Sequence, residues 1–231
     1  MQECKCRQDK SHFKKLTIAN IPEEFRGVTI ASFDVSLYKD PESKQRAATA
    51  KRAAANFVKN FEAMRTQGKG LYLYSYEKGS GKSRLAASIL NALCKVYDSD
   101  KNPLRVLYSS AVNLLDEIRK TFGKDSKVST SDLIERIKNA DVLVIDDLGV
   151  ENVTDWVEQI FTTILEHRLT NKKVTIFTSN LSVDELDEKY KAGRVSSRIE
   201  KMAFPIYMPD ERVRSHLAKK ENEMLQDILF S

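Results

Sequence analysis

The stretch Gly70–Ser83, GLYLYSYEKGSGKS, restricts this chain more than any other. Leu71-Tyr72-Leu73-Tyr74-Ser75 has strand character and runs into a glycine-punctuated loop closed by Gly81-Lys82-Ser83. A helix-forming run, RLAASILNALCKVY, follows without a break. Such a turn aims loop N–H groups and a helix N-terminus at one point, where an anion is favoured. The pattern is that of a phosphate-cradling P-loop, in which Lys82 reaches the β- and γ-phosphates and the Ser83 hydroxyl ligates Mg²⁺. Glu77, Lys78, Gly79, Ser80, Gly81, Lys82, Ser83 and Arg84 are therefore the candidate nucleotide contacts. The full pattern has a glycine five residues before Gly81, where this chain has Tyr76. That departure predicts a loop that turns less easily.

A second stretch, Asp141–Gly149 (DVLVIDDLG), supports the first. Val142–Ile145 is a continuous apolar run, as expected of a central parallel strand buried on both faces. It ends in two adjacent carboxylates, Asp146 and Asp147. Charge at the end of a buried strand needs a reason, and a Mg²⁺–phosphate site supplies one. Asp146 is the candidate metal ligand with Ser83, and Asp147 the carboxylate that orients an attacking water. Further on, KVTIFTS reads as another strand with Asn180 at its tip, where a polar side chain would meet the γ-phosphate or that water. Ser182-Val-Asp-Glu185 is a capping box that opens the next helix.

Around these stretches, strands alternate with helices. Residues 43–66 read as one amphipathic helix with Phe57 and Phe61 on its apolar stripe, 104–108 as a strand, and 111–122 and 132–139 as helices. A helix over 154–169, a strand-like MAFPIYM and a closing helix from Pro209 through Phe230 complete the order. This predicts an α/β fold, a three-layer α/β/α sandwich around a mostly parallel five-stranded sheet. Residues 1–45 read as a tether or peripheral segment that lies across the main domain. In it Cys4 and Cys6 supply only half of a tetrahedral zinc site, with His12 the one histidine nearby.

Composition narrows the setting. The 231 residues suit one such domain with modest extensions. Charged residues make up 31% of the chain, and no apolar run approaches the ~18 residues of a membrane span. Three cysteines and an N-terminus without an apolar core predict a reducing, cytoplasmic setting. A net charge of +5 permits nucleic-acid binding without demonstrating it.

At the level of motifs the chain resembles the AAA+ ATPases, and among them the bacterial and phage helicase loaders of the DnaC/DnaI type. The resemblance is carried by GLYLY before GSGKS, by VLVIDDLG followed by Glu151 and Trp156, by TIFTSNLS, and by GRVSSRI before PDERVRS. It implies a P-loop ATPase domain over 43–231 with a minimal or absent helical lid, preceded by an extension or linker over 1–42. It also implies roles: Lys82 and Ser83 for Walker A, Asp146 and Asp147 for Walker B, Asn180 for sensor 1. Arg198, in S-S-R-I, stands where an arginine finger reaches a neighbouring subunit's nucleotide, and Arg214 stands like the sensor 2 arginine. ATP or ADP and Mg²⁺ are the implied cofactors. Single-stranded DNA, a hexameric replicative helicase and further copies of the chain are the implied partners, with no membrane among them.

The function expected from the resemblance is ATP-dependent helicase loading in DNA replication. An IstB-type transposition ATPase shares the core motifs, with a transposase as its partner. A nucleotide-gated adaptor without significant hydrolysis is the reading from another class. Tyr76 favours the adaptor; Lys82, Ser83, Asp146, Asp147, Asn180 and Arg198 oppose it.

Overall fold

The computed structural model describes residues 20–97, 104–122 and 129–230. The cysteine pair at positions 4 and 6, with His12, lies outside these residues.

Five strands form the sheet: β1 (Gly70–Tyr74), β2 (Val106–Ser110), β3 (Val142–Leu148), β4 (Val174–Ser179) and β5 (Ala203–Tyr207). They are ordered β2-β3-β4-β1-β5, and every pairing is parallel. The five-stranded sheet expected to be mostly parallel is thus parallel throughout. Parallel neighbours need crossover helices, and these cover both faces. The helices are α1 (Pro41–Lys59), α2 (Phe61–Gln67), α3 (Lys82–Val96), α4 (Ala111–Lys120) and α5 (Thr130–Asn139). After β3 come α6 (Asp155–Thr170), α7 (Val183–Lys189), α8 (Arg194–Met202) and α9 (Val213–Phe230).

The two-residue side-chain period of a strand divides the core. Leu71, Leu73, Val142, Val144, Val174 and Ile176 point to one face, where they meet Ala86, Ile89, Leu90 and Leu93 of α3. Tyr72, Leu143, Ile145 and Phe177 point to the other, against Phe161, Ile164 and Leu165 of α6 and Ile199 of α8. The Ala-rich sequence of α1 buries Ala47, Ala50 and Ala54, and small side chains let that helix approach closely.

Local chemistry sets the boundaries. The helix expected over 43–66 is two helices that break at Asn60, whose side-chain amide donates to the Asn56 carbonyl (2.8 Å). Gly68, at φ +68°, ends α2 in the left-handed conformation that suits glycine. The Asp40 carboxylate caps α1, Ser110 caps α4, and the Ser182/Glu185 capping box is present at α7. The closing helix starts at Val213 rather than Pro209, because Pro209 and Asp210 are occupied at the phosphate loop.

Residues 20–40 lie across α3. Ile21, Phe25, Val28, Phe33 and Tyr38 are buried in the same core as β1. Their backbone is held from below: the Asn91 amide donates to the carbonyls of Phe25 (2.7 Å) and Val28 (2.9 Å). The Lys51 ammonium donates to the carbonyls of Ala31 (2.9 Å) and Phe33 (2.7 Å). Among the described residues no helix is long and apolar enough to cross a membrane.

Candidate nucleotide-binding site

At the C-terminal ends of β1, β3 and β4, where ligands of open α/β sheets sit, the candidate residues converge. The loop Ser75–Gly81 is fixed from the α9 side. The Ser75 hydroxyl donates to the Pro209 carbonyl (2.8 Å) and the Asp210 carboxylate (3.1 Å), and the Tyr76 N–H donates to the same carboxylate (3.1 Å). The left-handed turns fall at Gly79 (φ +76°) and Gly81 (φ +95°), and Tyr76 is not among the positive-φ residues. The expectation that Tyr76 stiffens the turn is thus corrected, because its position does not need glycine's freedom. Its ring is 53% exposed and meets Tyr74 and Tyr207 edge-on.

Gly81 is needed for two reasons. A Cβ there would lie 2.9 Å from the Tyr38 hydroxyl and 3.0 Å from the Phe33 ring. That hydroxyl donates to the Ser80 carbonyl (2.7 Å), so the segment before α1 clasps the loop.

Lys82 is 5% exposed. Its ammonium donates only to neutral oxygens: the carbonyls of Glu77 (2.9 Å) and Ser75 (3.3 Å) and the Ser80 hydroxyl (3.3 Å). Burial lowers it from 10.5 to about 8, although Asp147 and Asp146 pull it upward. A buried cation without a hydrogen-bonded anion is prepared for an anionic ligand.

Asp146 and Asp147 have separate environments. Asp146 is 7% exposed, and its oxygens accept from the Tyr108 hydroxyl (2.6 Å) and the Thr178 hydroxyl (2.5 Å). Burial and the Asp146 charge push the Tyr108 phenol up, which keeps it a donor. Asp147 adopts φ +53°, and its N–H donates to the Thr178 hydroxyl (2.8 Å). This twist interrupts the β3–β4 register and turns Asp147 into the cavity. Burial first, and Asp146 second, raise the Asp147 carboxyl above its usual value.

The cavity holds about 490 Å³. Its lining includes residues 78–84, Asp147, Asn180 and Arg214. The Arg214 N–H donates to the Gly79 carbonyl (3.2 Å), which joins α9 to the loop. The lining also takes in the apolar Phe25, Phe33, Leu37, Val213 and Leu217 and the ring of Tyr38. A lining that combines the Lys82 ammonium and the loop of residues 78–84 with apolar side chains fits a nucleotide, which is part anionic and part aromatic. Ser83, Asp146 and Asp147 supply hard oxygens of the kind Mg²⁺ takes.

Three expected site residues stand apart from this lining. Asp146 is buried, with its oxygens bonded to Tyr108 and Thr178. The Glu77 carboxylate pairs with Arg212. Arg198 pairs with Glu166 of α6 and donates to the Arg194 carbonyl (2.7 Å), away from its own chain's cavity. Sequence reasoning missed Phe25, Phe33 and Tyr38. For Phe25 and Phe33 the only signal was the apolar spacing in IPEEFRGVTIASFDV, which indicates contact with a domain and not with which part of it, and Tyr38 lies three residues beyond that segment.

Comparison with known proteins agrees with this geometry. Residues 42–202 match the family described as the bacterial DnaA ATPase domain. The replicative helicase loader DnaI of Bacillus subtilis is 30% identical over 223 residues, 91% of this chain and 66% of that protein. The replicative helicase loader DnaC of Escherichia coli K12 is 29% identical over 128 residues, 55% of this chain and 49% of that protein. The chain thus spans about half to two thirds of the length of these curated relatives. A crystal structure of DnaI superposes with a TM-score of 0.63 at 30% identity, covering 81% of this chain and 94% of that one. The family match covers most of the chain, and a solved DnaI structure matches at 30% identity over 94% of its length, so the chain belongs to the AAA+ ATPases, in their DnaC/DnaI group.

Proposed function

We propose that this chain is an ATP-hydrolysing loader that helps place a replicative helicase on single-stranded DNA. One observation supports the ATPase part: Lys82, Ser83, Asp147, Asn180 and Arg214 line one cavity, beside a loop that turns left-handed at Gly79 and Gly81. Lys82 and Arg214 would bind the terminal phosphates, and Asn180 would hold the attacking water. Asp147, raised by burial and by Asp146, would orient that water and take up its proton. Ser83 and Asp146 are the residues that would hold Mg²⁺, which when bound neutralises phosphate charge.

Arg198 is a cation of the same fold that its own cavity does not use. In an assembly of copies it would exchange Glu166 for a neighbour's γ-phosphate and supply the charge missing from that neighbour's site. The partner assignment rests on the relatives, named as replicative helicase loaders. The test is ATP turnover by wild type and Lys82→Ala, followed by capture of the replicative helicase of the same organism with ATP present. Turnover lost in Lys82→Ala, with helicase captured by wild type, supports the reading. Turnover without helicase capture moves the partner to a transposase-type protein, and ATP binding without turnover leaves an adaptor.

A further inference from the structure

Glu151 is a buried carboxylate, 4% exposed, four residues beyond Asp147. Burying a carboxylate is costly, and here the donors that hold it are neutral. Both of its oxygens accept from the Gly149 N–H (3.1 and 3.0 Å), and one also accepts from the Tyr190 hydroxyl. The Gly149 carbonyl accepts from the Lys189 ammonium. The peptide groups on both sides of Gly149 are therefore held by side chains: Glu151, itself braced by Tyr190, on one side and Lys189, at the end of α7, on the other.

Gly149 itself has no room for a side chain. It sits at φ +94°, and a Cβ on it would lie 2.9 Å from Leu181 and 3.1 Å from Leu186. On its N-terminal side the Leu148 carbonyl accepts from the Ser179 hydroxyl (2.6 Å), and Ser179 also accepts from the Leu181 N–H (3.0 Å). Two residues before Gly149 comes Asp147, a non-glycine residue at φ +53° that costs about 1–2 kcal/mol to hold there. Strained backbone persists where its surroundings over-determine it, and the bonds at 148 and 149 do so.

We propose that Glu151, with Tyr190 and Lys189, positions Asp147 for hydrolysis by clamping the Gly149 peptide groups, so that the strained turn keeps its carboxylate in the cavity. Glu151 does not line the cavity; it is a positioning residue. The inference rests on the ATPase reading given above.

The test compares Glu151→Ala, Glu151→Gln and Tyr190→Phe in the full chain, measuring ATP affinity, turnover, melting temperature and amide hydrogen exchange without nucleotide. The clamp predicts ATP affinity within about twofold of wild type and turnover lower by about ten- to a hundredfold in Glu151→Ala. It predicts partial rescue by Glu151→Gln, which keeps an acceptor, and faster exchange confined to amides 147–150. Tyr190→Phe retains the ring that meets Phe161 edge-on, so it probes the hydroxyl in a folded protein. Unchanged turnover in both Glu151→Gln and Tyr190→Phe overturns the proposal. So does a loss of affinity and turnover together that tracks melting temperature, since a merely structural contact would do that. If wild type turns over no ATP, the ATPase reading fails first and exchange alone decides the clamp. Local acceleration at 147–150 then keeps it, and unchanged exchange ends it.

Discussion

Lys82 gives the sharpest handle on the site. In the ligand-free fold burial lowers its ammonium to about 8 from 10.5. For a base, a lowered value means that the fold disfavours the charged form. The cost is fully present below pH 8 and is relieved as pH rises from 8 towards 10.5; its full size is about 3 kcal/mol. A bound phosphate reverses the preference, because it stabilises the ammonium. Nucleotide affinity should therefore fall above pH 8, where an ordinary lysine would keep it level to about pH 10. One proton linked to binding gives about an eightfold weaker affinity at pH 9 than at pH 7.5, a window in which the phosphates are already ionised. Calorimetric titration with ADP at the two pH values measures it. Lys82→Arg, charged at both, should bind with a flat profile. Equal affinity of wild type at pH 7.5 and 9 would refute the burial argument.

Three further outcomes follow from the geometry. Tyr76→Gly should change nucleotide affinity by less than about threefold, whereas Gly81→Ala, forced into a left-handed φ against Tyr38, should lose about tenfold; equilibrium binding compares them. Arg168 is fully buried, and its guanidinium donates to the carbonyls of Ile137, Lys138, Ala140 and Val174 and to the Thr175 hydroxyl. Arg168→Met would strand these acceptors at a cost of about 3 kcal/mol, lowering the melting temperature by about 6–12 °C in thermal unfolding. Tyr38→Phe should weaken nucleotide binding a few-fold, with turnover at saturation retained, because it loosens the clasp on Ser80 without touching Asp147; a KM against kcat comparison reads it.

The sequence showed the catalytic end of this site better than the rest, for physical reasons. Residues 78–84 and the Asp146-Asp147 pair are local in sequence, and their types and spacing are those that phosphate and metal chemistry would call for. Strand order followed from the parallel alternation only as a class, since the pairing β4-β1-β5 depends on long-range packing that no local pattern encodes. The clasp by Phe33 and Tyr38, 42 residues from Ser80 in the case of the tyrosine, was hidden for the same reason. The division of labour between Asp146 and Asp147 depends on one left-handed residue and a hydroxyl, Thr178, on the next strand. Glu151 could be read as part of a motif, but its contact with Tyr190, 39 residues on, could not.

The central claim is that each cavity is completed by Arg198 of a neighbouring copy. The direct measurement mixes Lys82→Ala, which keeps the arginine but lacks the phosphate lysine, with Arg198→Ala, which has the converse defect. Neither should turn over ATP appreciably alone. In an equal mixture about a quarter of the interfaces join an intact cavity to an intact arginine, so turnover should recover to about a quarter of wild type. A mixture no more active than the sum of its two components would contradict the account.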